Sequence, residues 1–292
     1  MLRCYFGHHK CGSTWIEAIC GDVCVETGHR FEIVFRREDL GGEGLAAHLR
    51  RTGAELVAYA NAHWEDVGRL PPFKGVHVVR DPRDVVVSAY FSHLHSHPTH
   101  AWPELVDYRR RLQSCDQREG LLLEIDFRAE QFAEMMAWPD DAPNVLELRY
   151  EDLVADEYKL FLAVFRHLEL LDERHFDVRR RAENLLHRLA ARLGVPSRAR
   201  RGVPVERLLG IVWEHDFEKK SGGRKVGDED VRSHFRRGQA GDWMRHFEPE
   251  HRQRFHERYA PLLRKLGYEQ DDAWVEAGRP PAVVGAAAVA RR

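Results

Sequence analysis

The stretch that decides the fold is Tyr5-Phe6-Gly7-His8-His9-Lys10-Cys11-Gly12-Ser13-Thr14-Trp15. The apolar residues 2–6 predict a short strand, residues 7–12 predict a tight loop, and the hydroxyls from Ser13 onward are typical of a helix start. Such a combination holds anions, because backbone N–H groups point into the loop and the helix dipole adds positive charge. The stretch therefore predicts a phosphate-binding loop.

The lysine of this loop does not stand where ATP- and GTP-binding loops have theirs. Those loops need Lys directly after the second glycine, followed by Ser or Thr for magnesium. Here Ser13 follows Gly12, and Lys10 precedes that glycine. We therefore expect a phosphate that the lysine approaches from a different side. A nucleotide kinase-like phosphotransferase is one enzyme class to consider for such a loop. It would need magnesium and a lysine directly after Gly12, where this chain has Ser13.

Composition excludes several classes of protein. The chain has 292 residues, of which 43% are hydrophobic, enough for one large α/β domain with a substantial core. The net charge of −2 gives no overall attraction to nucleic acid or anionic membranes. Five irregularly spaced cysteines argue against a disulfide framework. No apolar run approaches the ~18 residues of a membrane span and no signal peptide is evident, so we predict a cytoplasmic protein.

Strand-like and helix-like segments alternate along the chain. Strands are predicted at residues 2–6, 31–35, 55–60, 76–79 and 144–148, and helices from residue 13 and at residues 45–51, 83–91 and 158–170. This alternation predicts a three-layer, P-loop-like α/β fold, in which helices flank a mainly parallel central sheet. Ligands of such sheets bind at the carboxyl ends of the strands, so the loops that follow strands are the candidate site.

A second candidate site follows a later strand, in the run Val79-Arg80-Asp81-Pro82-Arg83-Asp84-Val85-Val86-Val87-Ser88. Arg80 ends the strand, and Pro82 suits the first turn of a helix. Arg80 lies at the strand end and Ser88 lies two turns along the helix. Their side chains can therefore face the same pocket. A guanidinium and a hydroxyl there suit a second phosphate. The alternative is an ordinary strand-to-helix turn with a surface arginine.

A third candidate site is the basic loop Arg236-Arg237-Gly238-Gln239-Ala240-Gly241-Asp242-Trp243. Two arginines beside a glycine allow the backbone to approach an anion while the side chains neutralise it. Taken alone, such a run more commonly forms a solvated surface turn.

These three runs, in this order, resemble the sulfotransferases that use 3′-phosphoadenosine 5′-phosphosulfate (PAPS). That family opens with Pro-Lys-Ser-Gly-Thr-Thr-Trp, where this chain has His9-Lys10-Cys11-Gly12-Ser13-Thr14-Trp15. Its second motif begins with Arg and reaches Ser eight residues later, as Arg80 and Ser88 do here, and its third is Arg-Lys-Gly followed by Gly-Asp-Trp. A Tyr-Glu-Asp-Leu segment common in the family is present at residues 150–153. Four motifs in order, over the chain to about residue 268, make the resemblance specific.

The resemblance implies a role for each matching position. The 5′-phosphate would be held by Lys10, Cys11, Gly12, Ser13 and Thr14, with Lys10 beside the bridging oxygen of the phosphosulfate. The 3′-phosphate would be held by Arg80, Ser88, Arg236, Arg237 and Gly238. The adenine would lie between Trp15 and Phe217, and Tyr150 would reach the nucleotide from the Tyr-Glu-Asp-Leu segment.

The resemblance also implies a general base after the strand at residues 55–60, where the family carries a histidine. This chain has Tyr59-Ala60-Asn61-Ala62-His63-Trp64 there, and the imidazole of His63 suits general-base work. The family's Lys-Thr before this histidine is replaced by Asn61-Ala62, which removes a second cation and leaves room for a non-catalytic nucleotide-binding protein. Glu65 and Asp66 follow closely and are alternative bases.

The implied activity is transfer of the sulfuryl group from PAPS to a hydroxyl or amine, leaving 3′-phosphoadenosine 5′-phosphate (PAP). Within a single domain at residues 1–277, the variable region at residues 92–142 would shape the pocket of a small-molecule acceptor. Its aromatic and methionine residues hint at an apolar or lipid-like acceptor: Trp102, Tyr108, Phe127, Met135, Met136 and Trp138. No nucleic-acid partner is expected, and a homodimer is compatible with the family.

Two segments fall outside these motifs. Residues 172–203 are predicted to form a basic helical insertion, which would serve as a lid, contact a negatively charged acceptor, or pack as a surface helix. Residues 278–292 are rich in proline and alanine and predict a disordered tail.

A run of histidines in the variable region raises the question of a metal. The run contains His93, His95, His97 and His100, and alternating histidines on a loop can chelate. No cysteine or carboxylate completes an obvious ligand set, and sulfuryl transfer in the family needs no metal. We therefore predict no metal site and interpret the run as a loop that lines the substrate pocket or faces solvent.

Overall fold

Five parallel strands form the central sheet of the computed structural model, in the order β2-β3-β1-β4-β5. They are β1 (Leu2–Phe6), β2 (Phe31–Val34), β3 (Leu56–Tyr59), β4 (Phe73–Val79) and β5 (Val145–Arg149). A further parallel pair joins β6 (Leu171–Asp172) to β7 (Val203–Pro204). The structure describes residues 1–99, 102–174 and 202–277, together with isolated positions between 182 and 193.

Helices connect the strands and cover the sheet. In chain order they are α1 (Ser13–Thr27), α2 (Leu45–Thr52), α3 (Trp64–Val67), α4 (Pro82–Phe91), α5 (Glu104–Gln113), α6 (Gln117–Phe127), α7 (Ala129–Ala137), α8 (Tyr150–Ala155), α9 (Glu157–His167), α10 (Val205–Glu214), α11 (Phe217–Lys220), α12 (Trp243–His246), α13 (Pro249–Lys265) and α14 (Ala273–Ala277). A 3₁₀ helix spans Arg37–Leu40, and a π-helical turn spans Ser92–Ser96. None of the helices in these ranges is long and apolar enough to span a membrane.

The two faces of the sheet pack against different helices. On β1, Tyr5 packs with the core formed by α1, α9 and α10, whereas Cys4 and Phe6 pack with a second core that includes residues of α2. Because both faces are covered, strands such as β3 read as continuous apolar runs rather than as alternating ones. The predicted fold, with helices on both sides of a parallel sheet, is therefore the observed one.

The register of the sheet brings the loops of the predicted site to one edge. Phe6 at the end of β1 pairs with Tyr59 on β3 and with His77 on β4, and Val79 on β4 pairs with Arg149 on β5. Since all four strands are parallel, the residues that follow them lie at the same carboxyl edge.

Most predicted element boundaries lie within three residues of the observed ones, and the variable region differs most. Residues 93–102 were expected to form a loop, but the chain continues from α4 into the π-helical turn at Ser92–Ser96 before it leaves the helix. The N–H of His97 donates to the carbonyl of Ser92 at 2.7 Å, and Pro98 follows. Three helices, α5 to α7, occupy the rest of the region. The predicted tail at residues 278–292, and most of the insertion predicted at residues 172–203, lie outside the described residues.

Candidate active site

The loop between β1 and α1 holds two residues in the left-handed backbone region. Lys10 has φ 66° and Gly12 has φ 86°. A Cβ at position 12 would lie 2.9 Å from Cδ2 of Tyr150, so the glycine allows both the turn and the close approach of that ring. Lys10 is not a glycine, and a side chain in this backbone region is held there at a cost of about 1–2 kcal/mol. The loop conformation therefore fixes the direction in which the lysine leaves the backbone.

Hydrogen bonds tie the loop to the end of β3. The N–H of Gly7 donates to Tyr59 O at 2.9 Å, and the N–H of Ala62 donates to Gly7 O at 2.9 Å. The hydroxyl of Tyr5 donates to that of Ser13 at 3.2 Å, which orients the first hydroxyl of α1. The residue after Ala62 is His63, so the predicted base is attached to the predicted phosphate loop.

The other predicted ligand-binding residues of this loop and of the first turn of α1 differ in their exposure to solvent. Cys11 is fully buried, and burial raises the pKa of its thiol to about 12, so only its backbone can contact a ligand. Thr14 is exposed at the first turn of α1. Trp15 packs edge-on against Phe161 with ring centroids 5.1 Å apart, and its buried Nε1 has no hydrogen-bond acceptor among the described residues.

Arg80 lies directly against the loop. Its side chain is buried, its Nη1 donates to Lys10 O at 3.0 Å, and its guanidinium carbon lies 4.4 Å from the centroid of the Tyr150 ring. Within the described part of the chain, its buried Nε has no hydrogen-bond partner. Ser88 is half-buried two turns along α4. The second predicted motif therefore reaches the same place as the first.

A buried aspartate connects the second motif to the third. The carboxylate of Asp84 accepts the N–H of Gly241 at 2.7 Å and the N–H of Trp243 at 2.9 Å, and it lies 3.9 Å from the guanidinium of Arg80. The Arg236–Gly238 loop is thereby anchored beside α4. Asp84 has no exposed surface on its side chain, so the connection is part of the core rather than a surface contact.

The arginines of the third motif are ion-paired within the protein. Arg236 pairs with Glu229 and Asp242, and Arg237 pairs with Asp242 and donates to Gly227 O at 3.2 Å. The guanidinium of Arg236 lies over the ring of Phe91 at 4.7 Å. The acidic partners hold both guanidinium groups in defined positions.

Gly238 and Phe217, both predicted to contact the nucleotide, pack directly against each other. Gly238 has φ 65°, and a Cβ there would collide with the Phe217 ring. The guanidinium of Arg224 lies 5.5 Å from the centroid of that ring. The ring of Phe217 is thus held against the arginine loop.

Burial and nearby cations both act on the pKa of Lys10. Burial, followed by Arg80, Arg236 and Arg128, lowers its pKa to about 7, with a small opposing effect of Glu124. Arg80 belongs to the second motif and Arg236 to the third, so charges from both motifs act on the lysine of the first. A dianionic group bound among these cations would favour the charged lysine.

His63 stands at the N-cap of α3, and its Nδ1 lies 3.1 Å from Oε1 of Glu134 on α7. The side chains of His63 and Glu134 are 21% and 30% exposed, so a substrate can reach the dyad. Glu134 was missed in the sequence because it lies 71 positions further on, in a helix that no motif marks.

The alternative bases are engaged elsewhere. Glu65 pairs with Arg37 at 2.8 Å and with Arg69 at 2.7 Å, and Asp66 pairs with Arg37 at 2.9 Å. Asp66 also accepts the hydroxyl of Tyr59 at 3.0 Å. These contacts favour His63 as the base.

Histidines lie beside the loop in two groups, and the sequence analysis predicted neither grouping. His8 contacts His77 at 2.9 Å between their Nε2 atoms, and burial, followed by His77 and His63, holds the pKa of His8 well below its usual range. His9 lies with His93 and His97. His95 is exposed on the same π-helical turn, and His100 lies outside the described residues. The pattern of alternating histidines was visible in the sequence, but the partner on the first loop was not.

Aromatic residues of the variable region form one stack beside the His9 group. Tyr108 and Phe127 stack with centroids 4.0 Å apart, and Trp102 stacks on Phe127 at 5.8 Å. Met135 and Trp138, also expected at an acceptor pocket, are instead buried in the core. Met136 is exposed on α7, so the stack and Met136 remain as candidates for the predicted pocket lining.

The chain belongs to the sulfotransferase domain family. Its residues 69–267 match the family model described as sulfotransferase domain. The predicted family and enzyme class are thereby confirmed. The match contains the second and third motifs, whereas the loop with Lys10 and the predicted base His63 precede it.

Comparison with solved structures supports the fold over nearly the whole chain. The structure is similar to mouse sulfotransferase SULT7A1 complexed with PAP, with a TM-score of 0.51 and 15% identity over 94% of this chain and 87% of that one. Retinol dehydratase in a complex with retinol and PAP matches with a TM-score of 0.45 and 16% identity, over 89% of this chain and 80% of that one. The sequence search of curated proteins finds no match. The predicted P-loop-like fold is confirmed.

Proposed function

We propose that this sulfotransferase transfers the sulfuryl group of PAPS to a hydroxyl or amine of a small acceptor. Lys10 stabilises the leaving oxygen and His63 acts as general base. The observation that carries the proposal is the convergence of Lys10, Arg80 and Arg236 at the loop to which His63 is attached.

The side chains of the site fit this co-substrate. Arg80 Nε and Trp15 Nε1 are buried donors without an acceptor among the described residues, so each has a hydrogen bond to give to a ligand. The three clustered cations, Lys10, Arg80 and Arg236, suit a nucleotide that carries one phosphate on its 3′-oxygen and another on its 5′-oxygen. The ring of Phe217, pressed against Gly238, offers a flat apolar surface beside the arginine loop, as an adenine requires.

When bound, PAPS supplies the sulfuryl group, whose bond to the 5′-phosphate oxygen breaks as the bond to the acceptor oxygen or nitrogen forms. Lys10 neutralises the charge that collects on the leaving phosphate oxygen. The imidazole of His63 takes the acceptor proton, and the carboxylate of Glu134 beside its Nδ1 stabilises the imidazolium that results. The stack of Trp102, Tyr108 and Phe127 supports an apolar group on the acceptor.

Binding and transfer assays test the proposal directly. Calorimetry should show tight, magnesium-independent binding of PAP and weak binding of ATP. Labelled sulfate should move from PAPS to members of a panel of phenols, alcohols, amines and sugars. Preference for ATP with magnesium would favour the kinase-like alternative. Tight PAP binding without any transfer would favour a non-catalytic nucleotide-binding protein.

Glu134→Gln should lower kcat by about 10- to 100-fold, because a neutral amide does not stabilise the imidazolium of His63. Its position beside Nδ1 predicts little change in the Kd for PAP. Steady-state kinetics with a panel acceptor and PAP calorimetry provide the measurements. Glu130→Gln, on the exposed side of the same helix, is the control and should behave as the unmodified protein. An equal loss in both variants would contradict the role of Glu134.

Binding of PAP should take up a proton above pH 7. The pKa of Lys10 in the free enzyme is about 7, so the lysine is charged below that pH and neutral above it. Bound phosphate favours the charged form, so the pKa rises in the complex. The affinity should then fall by up to about tenfold per pH unit above 7, until the pKa of the complex is reached.

Calorimetry in buffers of different ionisation enthalpy measures this proton uptake. Lys10→Met should lose it at pH 8, since Arg80 and Arg236 stay charged there. Equal uptake by the variant and by the unmodified protein would show that the proton goes to another group.

A further inference from the structure

We propose that His9, His93 and His97 form a binding site for a divalent transition-metal ion of the zinc class. The site lies beside the loop that carries Lys10, and metal binding at it does not depend on the proposed function. Only a role of the bound metal in sulfuryl transfer would rest on the proposed function.

The three imidazoles have the spacing of a ligand set. One nitrogen from each ring lies within 4.8 Å of the other two, and the Nε2 atoms of His9 and His93 are 3.1 Å apart. Two nitrogens bound to one tetrahedral zinc ion at 2.0–2.1 Å would be roughly 3.3 Å apart. A shift of a few tenths of an ångström would therefore let both rings share a metal.

Three histidine ligands with an open fourth position are typical of catalytic rather than structural zinc sites. His93 has the outer contact that such ligands commonly have. Its Nδ1 lies 3.0 Å from Oε2 of Glu124, and both side chains are fully buried. The same carboxylate accepts the hydroxyl of Tyr108 at 2.9 Å and pairs with Arg128 at 2.9 Å. A carboxylate on Nδ1 fixes the ring and leaves Nε2 toward His9, as in carboxylate–histidine–metal arrangements.

The backbone also holds these ligands in place. His93 lies within the π-helical turn Ser92–Ser96 and His97 closes it, and turns of this kind are frequent at functional sites. Arg109 donates to the carbonyls of both His93 and His97, at 2.5 and 2.6 Å. Gln131 donates to the carbonyl of His9 at 2.8 Å. The ligands are thus positioned from two separately anchored segments.

Nearby cations raise the alternative of an anion site, since Lys10, Arg109 and Arg128 surround the rings. The contact between the Nε2 atoms of His9 and His93 argues against it, because at 3.1 Å one nitrogen must present its lone pair to the other. Arg128 is paired with Glu124, and Arg109 is directed to backbone carbonyls. Trp102 packs edge-on against all three rings, at 5.4 to 6.1 Å, and provides the apolar surroundings typical of metal sites.

The three histidines lie beside the loop of the proposed reaction, because His9 directly precedes Lys10. A metal ion held there would supply a Lewis acid next to that loop. The second group of metal-binding side chains, Glu229, Asp242 and His246, is already paired with Arg236, Arg237 and Arg245, and carries no proposal.

The test uses the untagged full chain after treatment with a chelator. Equilibrium dialysis against Zn²⁺, followed by elemental analysis, should give one tightly held ion per chain. Titration with Co²⁺ should give the visible absorption of a four-coordinate site. His9→Ala and His97→Ala should each weaken binding by at least about 100-fold. Glu124→Gln should weaken it by about 10- to 100-fold through the orientation of His93.

His95→Ala is the matched control, because this exposed histidine lies on the same turn outside the cluster, and it should bind normally. The proposal is wrong if the unmodified protein binds zinc no more tightly than the His9→Ala variant does, because any tight site would then lie elsewhere in the chain. Circular dichroism of each variant separates loss of ligands from loss of fold. Calorimetry with PAP in the absence of metal tests the proposed function separately.

Discussion

Lys10→Met should lower kcat for sulfuryl transfer by about 10²–10³-fold, the usual cost of removing a donor aimed at charge that develops in the transition state. The loss should be smaller in the Kd for PAP, at about tenfold or less, since Arg80 and Arg236 remain. The left-handed backbone at Lys10 fixes the direction of its side chain. Residues 7–12 contain no second lysine that could replace it. Single-turnover kinetics with labelled PAPS, together with PAP calorimetry, separate the two effects.

Lys74→Met is the control for this experiment. Lys74 lies at the amino end of β4, on the opposite edge of the sheet from the loop, and pairs with Glu169 at 2.8 Å. It should retain normal turnover. If Lys10→Met also turns over at a near-normal rate, Lys10 does not stabilise the leaving oxygen, and the assignment fails even if PAP binds tightly.

His63→Ala should reduce transfer by about 10²–10⁴-fold, the contribution typical of a general base. PAP should bind as before, because the histidine faces the acceptor side of the loop in the proposed mechanism. The pairing of His63 with Glu134 predicts that His63→Ala and the double variant with Glu134→Gln lose similar amounts of activity, since the carboxylate acts only through the imidazole. Steady-state kinetics on the single and double variants measure this.

His167→Ala serves as the control, because this half-buried histidine at the end of α9 contacts the carbonyl of Asn144, at the amino end of β5 and away from the site. Survival of activity in His63→Ala would remove His63 from the mechanism. Glu65→Gln would then be the next variant to measure, since Asp66 is buried and bound to Tyr59 and Arg37.

The parts of the fold that could be predicted are those set by short-range sequence. Glycines that end a strand or cap a helix, such as Gly12 and Gly28, mark the borders of α1 because they adopt the left-handed region that other residues avoid. Apolar runs identify strands that are covered on both faces. The order of the strands could not be deduced in this way, because it depends on how distant segments pair.

The same limit applies to the site. Lys10, Arg80 and Arg236 each belong to a recognisable sequence pattern, so a shared site could be predicted for them, and their roles at the co-substrate stay predictions. Glu134 and His9 were missed as partners of His63 and His93, since both contacts join positions far apart in sequence. No motif marks Glu134, and the motif that contains His9 gives no indication of a partner in the histidine run. The histidines illustrate this limit. The sequence analysis considered only the run from His93 to His100, whereas the cluster in the structure combines His93 and His97 with His9 from the first loop.

The bonds of Asp84 to Gly241 and Trp243 have a consequence for how the protein is made. The loop with Lys10 and the run from Arg80 to Ser88 are synthesised before the residues whose N–H groups Asp84 accepts, which come more than 150 positions after it. Before those residues are available, burial of this carboxylate costs free energy, because its hydrogen-bond partners are missing. Domains generally fold as units during synthesis. A newly made chain can therefore complete the proposed anion site only after Trp243 has been synthesised, and the co-substrate of the proposed reaction would stabilise only chains in which that segment is in place.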